Sequence, residues 1–268
     1  MSAAAGTLQD SPFVQHEAKA GIVRLTLNRG SRFNPLSLEM ILALDSALTA
    51  VEADDQARVI VLAADGKGFC AGHDLKEMRA HSQDSAWQQR LFDACNQLML
   101  HMTQVPQPII ARVHGIATAA GCQLVSMCDL AIAADTASFA LPGVNIGVFC
   151  STPAVGVARN IGRKRAMEML LTGEMFGAAQ AESWGLINRA VPPAELDTVV
   201  NALAERIASR SRAVIGMGKK AFYSQIDQGL PGAYETAGGT MVCNIALQDA
   251  AEGMDAFLQK RPPQWRHS

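Results

Sequence analysis

The sequence predicts an α/β fold, with short strand-helix-strand units in the first two thirds and helices in the last third. Three observations carry this expectation. Apolar residues alternate or run unbroken in "GIVRLTL" at 21–27, "RVIVL" at 58–62, "PIIARVHG" at 108–115 and "DLAIAA" at 129–134, as strands with one or both faces buried require. Apolar residues recur at helical spacing in the segments between them. After Pro153 helical periodicity takes over almost completely.

The first strand alternates, and a helix follows it. Ser37 is a credible N-cap, and Leu38, Ile41, Leu42, Leu44, Leu48 and Val51 form its apolar stripe. The run at 58–62 suits a doubly buried strand. Strand 108–115, helix "AAGCQLVSMC" and strand 129–134 then repeat the pattern. Beyond Pro153, "AMEMLLTG", "AAQAESWG", "ELDTVVNALAERIAS", "AVIGMGKKAFYSQI" and "QDAAEGMDAFLQK" all read as helices. Gly173 and Gly185 fall where C-caps sit, and Pro192-Pro193 mark a helix start after the short strand "LINRAV". No low-complexity linker divides the chain.

At 268 residues, 49% hydrophobic and 18% charged, the chain can bury a core in one large domain, with or without a C-terminal extension. Lys plus Arg number 23 against 25 Asp plus Glu, a net charge of −2. Such a balance provides no broad basic field for nucleic acid. No apolar run reaches the roughly 18 to 20 residues that span a bilayer, so no membrane partner is expected. The stretch from Met1 to Asp10 lacks the basic start and apolar core of a secretory signal and the Arg of a transit peptide, which leads to the expectation of a cytoplasmic protein. Six cysteines, at 70, 95, 122, 128, 150 and 243, form no CxxC pair. Buried thiols are expected, ahead of a redox or metal centre on Cys122, Cys128 and Cys150. Neither GxGxxG nor GxxxxGK[ST] is present, so nucleotide binding through a phosphate loop has no motif behind it.

Small residues crowd the stretch "HGIATAAGCQL" at 114–124. They allow close backbone approach at a strand-to-helix turn, whether for packing or for a ligand. Together with "NRGSRFNPLS" at 28–37, "GKGFCAGHDLKEM" at 66–78, "FALPGVNIGVF" at 139–149, "AMEMLLTGE" at 166–174 and "EGMDAFLQKRPPQW" at 252–265, this stretch resembles the crotonase (enoyl-CoA hydratase/isomerase) superfamily from about residue 13 to 265. Within it, "CAGHDLKEM", "TAAGCQL" and "GVNIGVFCSTP" look closest to the enoyl-CoA hydratase domain-containing protein 3 subgroup.

The resemblance implies an α/β crotonase-like spiral of ββα units at 10–200 and a C-terminal helical trimerisation region at 201–268. It implies homotrimers, or hexamers as dimers of trimers. The ligand it implies is an acyl-CoA thioester, with coenzyme A as part of the substrate and no separate cofactor or metal. The family's shared device is an oxyanion hole of two backbone N–H groups, here those of His73 and Ala120. The hydratases' two glutamates fall at Gln123 and Gly143, where the chain has no acid. Gln takes no proton near neutral pH and Gly has no side chain, so the usual hydration route should be disabled. Relatives also place a carboxylate near Cys150-Ser151. The implied coenzyme A contacts are Arg32 at the phosphates, Ala71, Asp74 and Leu75 around the adenine, and Phe257 and Lys260 from the last helix, commonly of a neighbouring subunit. Met78, Trp87, Phe92 and Leu141 are candidates for the acyl pocket, and Gln123 and Asn145 for orienting water or a carbonyl. The two functional expectations are an enzyme that stabilises a thioester enolate, and a non-catalytic acyl-CoA-binding or regulatory protein.

Overall fold

A computed structural model describes residues 12–267, so the stretch from Met1 to Asp10 lies outside the described residues. The chain enters through the hairpin β1 (Val14–Lys19) and β2 (Ile22–Leu27), turning at Ala20 and Gly21 with φ of 51° and 80°. Helix α1 (Leu38–Glu52) follows, its N-terminus closed by the Ser37 hydroxyl accepting from the Met40 N–H at 3.2 Å. Leu38, Met40, Ile41, Leu44, Leu48 and Val51 are buried. Leu42, expected on that stripe, is 47% exposed, because about 100° of rotation per residue carries it away from Ile41, Leu44 and Leu48.

Strand β3 (Val59–Ala64) is buried throughout. Helices α2 (Leu75–Ala80) and α3 (Ser85–Gln104) lead to β4 (Ile109–Val113), the two-residue β5 (Ala117–Thr118) and α4 (Ala120–Met127). Then come β6 (Leu130–Ala134), β7 (Ser138–Ala140), α5 (Ser151–Asn160), α6 (Arg163–Thr172), β8 (Phe176–Gly177), α7 (Ala178–Trp184) and β9 (Arg189–Val191). Helices α8 (Leu196–Ala208), α9 (Arg212–Gln225), α10 (Leu230–Ile245) and α11 (Gln248–Leu258) complete the chain.

The main sheet runs β1-β2-β3-β4-β6-β9, parallel except for the β1 edge, and a small second sheet runs β5-β7-β8. Pleating explains why β3 must be apolar on both faces. Ile60, Leu62 and Ala64 join the main core with α1, α3 and α4, whereas Val59 and Val61 meet Leu196, Val200 and Ala204 of α8 on the other side. Removing such a Leu or Val side chain from water stabilises by about 1.5–3 kcal/mol. Gly173 and Gly185 end α6 and α7 at φ of 64° and 87°, the left-handed region that favours glycine. The Pro192-Pro193 pair opens a short 3-10 turn at Pro193–Glu195, and α8 begins after it.

Helix α8 crosses residues 200 and 201 and lies on the sheet. Helix α9 is fastened by Lys219, whose ammonium donates to the carbonyls of Met102 and Gln107 and to Asp129 at 2.9, 3.0 and 2.7 Å. The Tyr223 hydroxyl donates to the same carboxylate at 3.0 Å. Helix α10 buries none of its residues in this chain and exposes Tyr234, Met241, Val242 and Ile245. Among the described residues, no helix is long and apolar enough to cross a membrane.

Candidate functional site

The site starts from a crossing of two backbone segments. Residues 70–73 run against the β5–α4 turn: the Thr118 N–H donates to the Cys70 carbonyl at 2.9 Å and the Thr118 hydroxyl to the Ala71 carbonyl at 3.1 Å. A Cβ on Gly121 would lie 2.1 Å from the Cys70 oxygen, and one on Gly72 2.8 Å from the Ala119 Cβ and 3.2 Å from the Ala120 nitrogen. Gly72 has φ of 92°, and Ala119 holds φ of 50°, which is costly for a residue with a Cβ. This is why the sequence crowds small residues here: two segments of the chain approach to van der Waals contact with no room between them.

The turn leaves donors free. The first N–H groups of any helix lack an intrahelical acceptor, and α4 begins at Ala120 with its first helical bond from the Gln123 N–H to the Ala119 carbonyl. Among the described residues, neither the Ala120 N–H nor the His73 N–H meets a backbone acceptor. Both residues line a cavity of about 470 Å³ together with Ala71, Leu75, Met78, Phe92, Gly143, Asn145, Phe149 and Cys150.

The His73 Nδ1 lies 3.1 Å from the Leu36 carbonyl oxygen, and its buried Nε2 has no partner. Burial holds the imidazole pKa below its ordinary value, and the Leu36 carbonyl opposes that shift. Asp74 caps α2 by accepting from the Lys76 and Glu77 N–H groups, and pairs with the Arg32 guanidinium at 2.5 Å. Glu77 accepts from the Leu38 N–H at 3.1 Å, capping α1. The C-terminal side of the loop that carries His73 is thereby tied, and Thr118 ties its other end at Cys70 and Ala71.

The positions expected to lack an acid differ from each other. Gly143 sits in the 3-10 turn Pro142–Ile146, where a Cβ would lie 2.4 Å from the Val148 oxygen and 2.9 Å from the Cys150 Sγ. The space is occupied by another segment of the same loop, so no side chain fits there. Gln123 is buried at 3% exposure, does not line the cavity, and leaves its Oε1 without a partner. Burial pushes the Cys150 thiol up, with the Gly143 backbone opposing, and pushes Cys122 up to about 12. Neither is a ready thiolate.

Among the other candidates, Ala71 and Leu75 line the cavity, while Arg32 and Asp74 form an ion pair beside it. Met78, Phe92 and Asn145 also line it. Two expected lining residues do not. Leu141 is fully buried in the core, and Trp87 stacks on His81 with ring centroids 4.2 Å apart. Phe257 is 83% exposed along a separate groove with Met254 and Trp265, and Lys260 is exposed in the turn after α11, so one chain alone does not bring this pair to the cavity. The sequence reading did not single out Val148 or Phe149. Their signal was the positive-φ Gly147 that turns the loop back over Gly143. Among the described residues, no three His, Cys, Asp or Glu side chains gather in a metal-holding group.

Residues 17–268 match the family model described as Enoyl-CoA hydratase/isomerase. The chain belongs to the enoyl-CoA hydratase/isomerase family. Human enoyl-CoA hydratase domain-containing protein 3, mitochondrial, is 45% identical over 92% of this chain and 81% of its own length. The mouse protein of the same name is 43% identical over 98% and 87%. Among solved structures, an enoyl-CoA hydratase of Mycobacterium smegmatis superposes with a TM-score of 0.93 at 50% identity, covering 95% of this chain and 99% of that one. The human domain-containing protein 3 structure gives 0.92 at 44%, covering 94% and 100%. These matches make the architecture the crotonase fold with its C-terminal helices. They overturn the expected cytoplasmic location, because the human and mouse relatives are named mitochondrial proteins. The missing Arg at the N-terminus was too weak a signal to decide a compartment.

Proposed function

We propose that this family member binds an acyl-CoA thioester and stabilises its enolate between the His73 and Ala120 N–H groups, without the two-glutamate hydration route. The observation that carries the reading is the cavity wall itself. Among the described residues it presents two backbone donors without a backbone acceptor, where residues 70–73 cross the α4 N-terminus, and no carboxylate. Preorganised donors of this kind are worth about 3–4 kcal/mol each toward a developing oxyanion. A helix N-terminus adds favourable potential. Each missing general acid-base group forfeits about 10²–10⁴-fold in rate, so loss of both leaves enolate stabilisation as the chemistry that the wall still supports.

Coenzyme A enters the reading as part of the substrate. Ala71 and Leu75 lie on its path, with Arg32 and Asp74 beside it. Phe257 and Lys260 close on it from a neighbouring copy, which fits their distance from the cavity of their own chain. The exposed apolar face of α10 supports a homotrimer, or a hexamer of two trimers, with 201–268 as the trimerisation region. The deciding assay is loss of the conjugated thioester absorbance of crotonyl-CoA and longer enoyl-CoAs. Turnover above about 10 s⁻¹, near the median for enzymes, refutes the claim that the hydration route is disabled.

The absence of an acid also supports a second reading, a non-catalytic acyl-CoA-binding or regulatory protein. Calorimetric binding with no product by mass spectrometry across an acyl-CoA panel selects it.

A further inference from the structure

The cavity changes character from floor to mouth. Its floor holds the small side chain of Ala120, the bare backbone of Gly143 and the buried Cys150. The mouth is built by the turn that follows Gly143. There the Val148 N–H donates to the Gly143 carbonyl at 2.9 Å, Gly147 takes φ of 77°, and the Asn145 amide donates to the Gly173 carbonyl at 3.3 Å. Folded back on itself and tied to the end of α6, the turn leaves Ile146, Val148 and Phe149 at 58%, 48% and 45% exposure. All three line the cavity. Single apolar side chains on a surface are ordinary, but a cluster of large ones around one opening marks a surface that something covers.

The chemistry of the wall limits what covers it. Met78 of α2 and Phe92 of α3 add two more apolar side chains. Among the described residues that line the cavity there is no Lys, Arg, Asp or Glu. Two of its neutral polar groups are already engaged, Asn145 on the Gly173 carbonyl and the Ser151 hydroxyl on the Phe149 carbonyl at 3.4 Å. Arg32, beside the cavity, is held by Asp74. A carboxylate carried on an acyl chain therefore enters without a cationic partner and pays for its lost water. The two amides of a pantetheine arm need hydrogen-bond partners, which the side chains of Ile146, Val148 and Phe149 do not offer. Methylenes need only contact.

We propose that the rim of Ile146, Val148 and Phe149 is the chain-length determinant of this site, selecting uncharged fatty acyl groups longer than butyryl by covering their distal methylenes. The inference rests on the acyl-CoA reading and names the substrate class. The thioester and its first carbons lie on the small-residue floor, and the chain beyond them crosses the rim. Full burial of one methylene tightens binding about fourfold, equivalent to about 0.8 kcal/mol. Coverage from one side gives about twofold per methylene.

The test measures, by calorimetry on the full chain, the affinity for coenzyme A and for butyryl-, hexanoyl-, octanoyl- and adipoyl-CoA. Adipoyl-CoA is hexanoyl-CoA with a carboxylate in place of its methyl. The variants are Ile146→Ser, Phe149→Ser and, as an exposed apolar position on α1 that does not line the cavity, Leu42→Ser. Affinity should rise at least about tenfold from butyryl- to octanoyl-CoA, and adipoyl-CoA should bind at least about tenfold more weakly than hexanoyl-CoA. In each rim variant the butyryl-to-octanoyl rise should shrink at least about threefold, with coenzyme A itself bound within about twofold of the unsubstituted protein. Leu42→Ser should keep the full rise. The two rim variants stand in for each other if one misfolds, which the melting temperature reads directly. Coenzyme A and butyryl-CoA binding with no rise toward octanoyl-CoA overturns the proposal alone, as does a full rise in both rim variants or adipoyl-CoA binding as tightly as hexanoyl-CoA. Light scattering that shows the rim variants falling apart from an assembly, with the rise intact, makes the rim an interface between copies and also overturns it. Failure to bind coenzyme A or any thioester refutes the acyl-CoA reading, and the proposal with it.

Discussion

Restoring an acid at position 143 should fail, and the structure says by how much. A Cβ at Gly143 would lie 2.4 Å from the Val148 oxygen and 2.9 Å from the Cys150 Sγ. The first of these atoms is backbone, held by the Val148 N–H donating to the Gly143 carbonyl at 2.9 Å. Relief therefore requires the 143–148 loop to open. Overpacking of this kind costs about 1–3 kcal/mol, and losing the loop hydrogen bond adds about 1 kcal/mol. Gly143→Ala should lose about 2–4 kcal/mol, a fall of roughly 5–10 °C in melting temperature for a chain of this size. Gly143→Glu should lose at least as much. Thermal unfolding followed by circular dichroism measures the loss, and the crotonyl-CoA assay measures any gain of hydration. A Gly143→Glu variant that melts within about 1 °C of the unsubstituted protein and hydrates crotonyl-CoA would refute the steric argument.

Other substitutions test separate links. Gly121→Ala places a Cβ 2.1 Å from the Cys70 oxygen and should cost more than about 3 kcal/mol in urea unfolding, since that oxygen is packed backbone and the new Cβ is fixed to the backbone of α4. Gln123→Met should stay within about 1 kcal/mol of the unsubstituted protein, because it replaces a buried Oε1 that has no partner; a larger loss in urea unfolding would reveal a polar role for the amide. Lys219→Met leaves the Asp129 carboxylate without its ammonium and should cost about 3–5 kcal/mol, with early loss of amide-exchange protection in α9. Arg112 and Arg24 hold the Asp197 carboxyl well below its ordinary value of 3.8, Arg112 most strongly, against the effect of burial. That contribution is present above pH 3.8 and fades as pH falls toward the lowered folded value. Arg112→Gln should therefore flatten the acid limb of a stability-versus-pH curve, by a modest amount because Asp197 is half exposed.

Much of the scaffold was legible because its causes are local. Ser37 announces a cap through a side chain three residues from the N–H it accepts, and Gly173 and Gly185 announce left-handed helix ends. The run from Val59 to Ala64 announces double burial. Strands β5, β7 and β8 have two or three residues each, too few for any periodicity to register. Helix α10 has no buried stripe to set a pattern. At the site, the motif order pointed to His73 and Ala120, and both line the cavity, but the contacts around them are long-range. Nothing adjacent in sequence says that Val148 fills the place beside Gly143, or that Gln123 is buried away from the cavity. The same holds for Leu36, which holds the His73 ring across 37 positions.

The ties on the loop that carries His73 have a consequence for ligand entry. Asp74 joins α2 to Arg32, Glu77 joins α2 to the start of α1, and Leu36 and Gly72 share a backbone hydrogen bond at 2.8 Å. With Thr118 gripping the other end, the His73 N–H has its direction set at folding, and under the proposed thioester reading it needs no rearrangement when the ligand arrives. Association should then spend little free energy on ordering the protein, and discrimination among acyl chains should fall to the apolar walls.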